Sequence, residues 1–251
     1  MGHAIFVFGA AGAGKTTFCR NLREHGKPDR SIRLINLDPA QEDGADYDLD
    51  LCEFLTVNEV MDECDFGPNG ALFYALEEMV ENIDELKLHE FEEDYFLFDC
   101  PGQIELFLHS NILQKCVNHI QNHSKIAIVY LMDSTVFLNK PKLLFSTLCA
   151  TISMFRFDLP VVNIISKADL LEKDFLEDIL DKENIFDEEF DNSENGRLSK
   201  SISDFVMSNG MMDFYPLDWS NEDMVQNIFL VLDNVLQFYD DIETKTRDLE
   251  M

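Results

Sequence analysis

Positive charge is scarce in this sequence: its 251 residues hold 49 Asp and Glu against 19 Lys and Arg, a formal net charge of −30. Such a field repels phosphate backbones and anionic headgroups, so no direct nucleic-acid binding and no membrane association are expected, and a basic protein partner is favoured. Arginine is scarcer still, seven in all, with none between Arg33 and Arg156. Apolar runs such as Ile126 to Met132 fall far short of the roughly 20 residues that cross a bilayer. The six cysteines form no Cys-x-x-Cys pair and follow no signal peptide, which predicts reduced thiols in a soluble cytoplasmic or nuclear protein. Gly2 does not announce myristoylation, because position 6 is Phe where that motif wants Ser or Thr. There is no internal repeat and no Gly/Ser linker, so one domain over residues 1–251 is expected. What is plentiful is apolar, 46% of residues including 21 Phe, the composition of a folded globular chain.

The few bases are unevenly placed. Residues 1–37 hold six Lys and Arg and two acids, whereas residues 39–98 hold nineteen acids and only Lys87. In the basic part lies Gly9-Ala10-Ala11-Gly12-Ala13-Gly14-Lys15-Thr16, directly after the apolar run Ala4 to Phe8. A Gly/Ala run lets successive amide N–H groups turn inward around a polyphosphate, and the helix starting near Lys15 and Thr17 adds the positive end of its dipole. In this pattern Gly12, Ala13 and Gly14 cradle phosphate, Lys15 reaches the β/γ-phosphates, and the Thr16 hydroxyl can ligate Mg²⁺.

Further acids stand at the ends of strand-like runs. Ile32 to Leu37 leads into Asp38-Pro39-Ala40, which delivers a carboxylate to the sheet rim, although an Asp before Pro also suits a turn. Tyr95 to Asp99 is followed by Cys100-Pro101-Gly102-Gln103-Ile104-Glu105. There Asp99 can hold Mg²⁺, Gly102 can approach the γ-phosphate, Gln103 can orient a water, and Glu105 lies near enough to contribute. Between these acids, Thr56 is expected to cap a helix, Ala71 to Ile83 to form another, and Gly67-Pro68-Asn69-Gly70 to form a tight turn before it.

Downstream, Ile126 to Met132 predicts a buried strand ending at Asp133, and Leu143 to Phe155 an amphipathic helix. Val161 to Ile165 leads into Ser166-Lys167-Ala168-Asp169, similar to the guanine-reading motif Asn/Thr/Ser-Lys-x-Asp. An Asp carboxylate can accept from both N1–H and N2–H₂ of guanine, and Ser166 stands where many GTPases carry Asn; the same Asp could instead cap a helix from Leu170. Glu172 to Asn195 is read as acidic spacer, with a mobile loop over 183–196. Asp213 to Asp218 forms a last short strand, placing Leu217 at the fifth base-contacting loop, and Glu222 to Tyr239 a closing helix. Cys116, His119 and His123 share a helix face, but a structural zinc site wants four ligands and no companion pair lies nearby.

With these motifs in order over nearly the whole chain, the sequence resembles the GPN-loop GTPases. The resemblance implies a three-layer α/β P-loop NTPase fold, mostly parallel sheet with helices on both faces and an acidic helical insert at 41–94 that forms a dimer surface. It implies a Mg²⁺-dependent GTPase binding GTP and GDP, with Gly67, Pro68 and Asn69 of one subunit reaching the nucleotide of the other. Because the switch regions carry no arginine finger, slow hydrolysis suited to a conformational switch is expected. The resemblance further implies a homodimer, or a heterodimer with a paralogous GPN-loop GTPase, acting with RNA polymerase II subunits or assembly factors in cytoplasmic assembly and nuclear import. The alternatives are a related dimeric P-loop ATPase and a non-hydrolysing nucleotide-stabilised scaffold. Such ATPases carry a lysine early in the loop, where this chain has Ala10 and Ala11.

Overall fold

The structure is a computed structural model and describes residues 2–26, 30–41, 46–86, 95–180, 193–209 and 213–239. Among them, seven strands form one sheet: β1 (Gly2–Gly9), β2 (Ile32–Asn36), β3 (Leu49–Asp50), β4 (Tyr95–Asp99), β5 (Ser124–Asp133), β6 (Val161–Ser166) and β7 (Phe214–Pro216). All pairings are parallel, in the order β3-β2-β4-β1-β5-β6-β7. A parallel strand needs a crossover between partners, and the helices that supply it bury both faces, which is why β1 and β4 are buried at every position.

The two-residue period of β1 divides the core. Ile5 and Val7 face helices α1 (Lys15–Glu24) and α9 (Glu222–Leu236), meeting Phe18, Cys19, Leu22, Ile228 and Leu232. Ala4, Phe6 and Phe8 face the opposite layer. That layer comprises α3 (Pro68–Glu81), α4 (Ile104–Leu108), α5 (Ile112–Gln121), α6 (Lys140–Phe157), α7 (Lys173–Leu180) and α8 (Glu194–Ser208). Phe6 stacks on Phe98 at 4.5 Å and Phe8 on Phe107 at 5.2 Å, locking β1 to β4 and to α4.

Several local expectations change. The helix α2 (Val57–Cys64) starts at Thr56 with a full capping box to Glu59, as its sequence predicts. Residues Gly67 to Gly70 do not form a separate turn: Gly67 is the N-cap of α3 and Pro68 its first residue, with neither Asn69 nor Gly70 at positive φ. Proline's fixed φ suits that first helical position, and Asp65, at φ 54, makes the turn instead. The insert also contains the short strand β3. The acidic spacer is partly helical, with α7 in it, and Ser193 caps α8, so residues 194–196 of the expected mobile loop are helix; residues 181–192 lie outside the described residues. The closing helix stops at Leu236, where Gln237 turns left-handed. Cys116 packs in the core and His119 faces Asp84 at 3.4 Å.

Candidate active site

Gly9, Asn36, Asp99, Asp133 and Ser166 are each the last residue of a strand, so one rim of the sheet collects them. Register does the spacing: Asp99 pairs with both Val7 and Asn36, and Asp133 pairs with Ser166. Ligands of open parallel sheets bind at this rim.

The phosphate loop leaves β1 and enters α1. Gly12 and Gly14 take φ of 79° and 89°, the left-handed region where a side chain would be strained. Gly14 caps α1 without any side-chain bond, leaving the first amides of the helix for an anion. Lys15 is buried, 8% exposed, and its Nζ donates to Ala10 O at a long 3.4 Å. Thr16 is half-buried and hydrogen-bonded through its side chain to Asp99, whereas Thr17 is exposed. Gly102 lies directly on this loop: a Cβ there would stand 2.9 Å from Ala11 Cα and 3.1 Å from Lys15 Nζ. Gln103 next to it caps α4, and its Oε1 is buried with no hydrogen-bond partner, an acceptor left for a water or substrate proton.

Two carboxylates face Lys15. Burial pushes the Asp38 carboxyl up, only partly offset by a hydrogen bond from Ala40 N at 3.0 Å and by the Lys15 charge. Burial likewise pushes up Asp99, 2% exposed, against hydrogen bonds from Thr16 and Tyr47 and the Lys15 charge, while Asp38 adds repulsion. A divalent cation would relieve this charge imbalance. Two carboxylates and a hydroxyl are hard oxygen donors too few to enclose an ion, and no cluster of three acidic, His or Cys side chains occurs among the described residues. That donor set suits Mg²⁺, which keeps waters and binds through one or two carboxylates together with substrate phosphates.

The base-reading turn is tied to the phosphate loop. Ser166 Oγ donates to Ala13 O at 2.7 Å, so serine keeps a tether here despite lacking an amide. Lys167, at φ 56, donates to Gly12 O at 2.9 Å and to Asp133 Oδ2 at 2.6 Å. Burial raises Asp133, but hydrogen bonds from Lys167 and Thr135 outweigh it and hold the carboxyl below its usual range. Asp169 is exposed on the short 3₁₀ turn Ala168–Leu170 and caps no helix, since α7 begins only at Lys173. Leu217 places its side chain in the core, its N–H donates to Ile165 O and its carbonyl accepts from Ala168 N. What Leu217 offers is thus the fixed position of its loop.

Two groups are not brought in. Glu105 is exposed on α4, and Gly67, Pro68 and Asn69 are exposed at the start of α3. Among the described residues no hydrogen bond links Gly67–Asn69 to the phosphate loop of the same chain. Conversely, two residues that no sequence motif marks, Asn36 and Tyr47, belong to the site. Asn36 Nδ2 donates to Asp38 O and Asp50 Oδ1, and its Oδ1 accepts from Asp38 N at 2.8 Å, fixing the Asp38 turn. A lone Asn inside the apolar Leu34 to Leu37 was the available signal; for Tyr47, whose hydroxyl donates to Asp99 at 2.8 Å, local sequence held none.

A Gly-rich loop joining a central parallel strand to a helix, with acids on the neighbouring strand ends, defines a P-loop nucleotide-binding protein. The family described as "Conserved hypothetical ATP binding protein" matches residues 7–238. GPN-loop GTPase 3 of Yarrowia lipolytica is 35% identical, covering 98% of this chain and 96% of its own. The Saccharomyces cerevisiae protein of the same name is 33% identical over 96% and 94% of the two chains. The chain belongs to the GPN-loop GTPase family. Its fold is shared with the crystal structure of a GTPase in apo form from Pyrococcus abyssi, with a TM-score of 0.76 over 93% of this chain and 97% of that one at 23% identity.

Proposed function

We propose that the chain binds Mg²⁺·GTP and hydrolyses it slowly to GDP and phosphate, as one half of a dimeric assembly switch. The observation that carries this reading is the double tether of Ser166 and Lys167 to Ala13 and Gly12, which sets a guanine-reading turn beside a phosphate loop that Gly102 already touches. The loop amides and Lys15 hold the β/γ-phosphates. Thr16, Asp38 and Asp99 would hold Mg²⁺, which would supply positive charge against the phosphate oxygens. Gln103 and Asp38 orient a water toward the γ-phosphorus; the new P–O bond forms as the bond to the GDP oxygen breaks, and the water proton leaves with phosphate. Turnover is slow because the switch segments supply no arginine.

Dimerisation is supported by the insert, where the exposed Phe66 and Tyr74 meet with ring centroids 5.9 Å apart at the start of α3, the part of the helix that carries Asn69. Asn69 of a partner, a second copy or a paralogous GPN-loop GTPase, completes the site. The strongly acidic surface suits basic clients, and the family resemblance points to RNA polymerase II subunits or assembly factors handled in the cytoplasm and carried to the nucleus. Calorimetry with GDP, GTP and ATP analogues tests the chemistry. The wild type is expected to prefer guanine and Asp169→Ala to lose that preference; equal affinity of the wild type for GTP and ATP would sink it. Light scattering with and without a GTP analogue reads self-association.

A further inference from the structure

Tyr47 stands outside every motif of the sequence, yet its hydroxyl donates to Asp99 Oδ2 at 2.8 Å. The Thr16 hydroxyl lies within hydrogen-bonding reach of both, so three oxygens from three segments close on one point at the end of β4. The tyrosine is held from behind. Its ring packs on the core layer that contains Val7, Phe18 and Cys19. Its neighbour Asp48 donates from N to Leu34 O at 2.8 Å and accepts from Leu34 N at 2.8 Å through Oδ2, which also accepts from Arg23 at 3.2 Å. Asp46 on the other side pairs with the same Arg23 at 3.2 Å. A backbone locked to β2 and to α1 thus presents a hydroxyl to a buried carboxylate at a fixed position.

We propose that Tyr47 is a positioning residue of the metal site, holding Asp99 in the orientation that receives Mg²⁺. The inference rests on the Mg²⁺·GTP reading above. A carboxylate bonded by one lone pair to a fixed donor cannot rotate freely about its last torsion, so its other lone pairs are aimed before the ion arrives. Groups that orient metal-binding side chains in this way typically change metal affinity 10- to 100-fold when removed. A purely structural tyrosine would instead lower stability and nucleotide affinity alike, with no special dependence on the ion.

The test is titration of a fluorescent GDP analogue into wild type and Tyr47→Phe, once in EDTA and then across a Mg²⁺ series. Affinity in EDTA is expected to agree within about twofold, while the Mg²⁺ concentration at half-effect rises roughly 10- to 100-fold, and saturating Mg²⁺ restores the variant's turnover. An unshifted Mg²⁺ midpoint, or an equal loss of affinity in EDTA, overturns the positioning role. A wild type indifferent to Mg²⁺ overturns the metal reading itself, which separates the two failures. If Tyr47→Phe does not fold, 3-fluorotyrosine at position 47 keeps the hydroxyl: its ¹⁹F resonance should move with the Mg²⁺ midpoint of GDP binding, and an unmoved resonance refutes the proposal.

Discussion

Gly102 is the residue at which nothing larger fits between the end of β4 and the phosphate loop. An alanine there would press on Ala11 Cα at 2.9 Å, a backbone atom that cannot swing aside. Gly102→Ala is therefore expected to displace the loop by a fraction of an ångström and to lower single-turnover hydrolysis about 100-fold, since misplacement on this scale acts on the reacting geometry first. GDP affinity, assigned in the proposed function to Gly12 to Thr16, should fall much less. Wild-type single-turnover rates in the variant would show that the approach is not needed for chemistry. Asp133 makes a prediction in pH. Its folded carboxyl is held below the ordinary 3.8 by Lys167 and Thr135, so the unfolded chain binds more protons through that window. The stabilisation is present above that value and is lost as pH falls through the depressed one. Urea unfolding should find Asp133→Asn less stable than wild type at pH 7, with the gap closing toward pH 3; a gap independent of pH would refute the charge-based account.

At the scale of elements, the capping box of α2 tests how far the insert depends on its helix ends. Thr56 Oγ1 accepts from Glu59 N at 3.2 Å while Glu59 Oε2 accepts from Thr56 N at 2.8 Å. Thr56→Ala should cost about 1 kcal/mol in chemical unfolding, because Glu59 N loses its acceptor and the Glu59 carboxylate loses the hydroxyl that helps to hold it. Elements signalled by near-neighbour chemistry were legible in the sequence: β4 matches its apolar run end to end, and α2 starts at its threonine. Elements whose identity depends on distant partners were not. β3 is two residues long and exists only because β2 offers an edge to Leu49 and Asp50. Pro68 suits both a turn and a first helical position, and the choice is made by Ala75 and Val60 packing across the hairpin. The site divides in the same way. Lys15, Asp99, Gly102 and Ser166 stand in contiguous motifs, whereas Asn36 and Tyr47 act through the register that sets β2 beside β4.

Over the whole molecule, one buried contact ties the chain together, and a second, proposed above, would make it half of a pair. Arg30, just before β2, pairs with Asp233 on α9, and both side chains are almost wholly buried. The guanidinium also lies 4.7 Å from the Phe238 ring. Asp233→Ala leaves an uncompensated buried charge and should cost about 3–5 kcal/mol, while Arg30→Met with Asp233→Leu recovers most of it. Urea unfolding of the three proteins checks this, and a double variant as weak as the single one would contradict it. The second contact is the one proposed between chains. Lys15→Ala disables the phosphate loop but leaves Asn69 intact; Asn69→Ala does the reverse. If Asn69 acts on the partner's nucleotide, each variant alone hydrolyses GTP poorly. Random exchange of equal amounts in a two-fold homodimer gives mixed dimers half of the time, each with one complete site, so roughly a quarter of wild-type turnover returns. Activity that stays at the sum of the two variants, although exchange is seen by sedimentation, would place Asn69 in the site of its own chain or outside the chemistry altogether. Its exposed position at the head of α3 leaves its side chain open to a second copy of the chain, as the recovery requires.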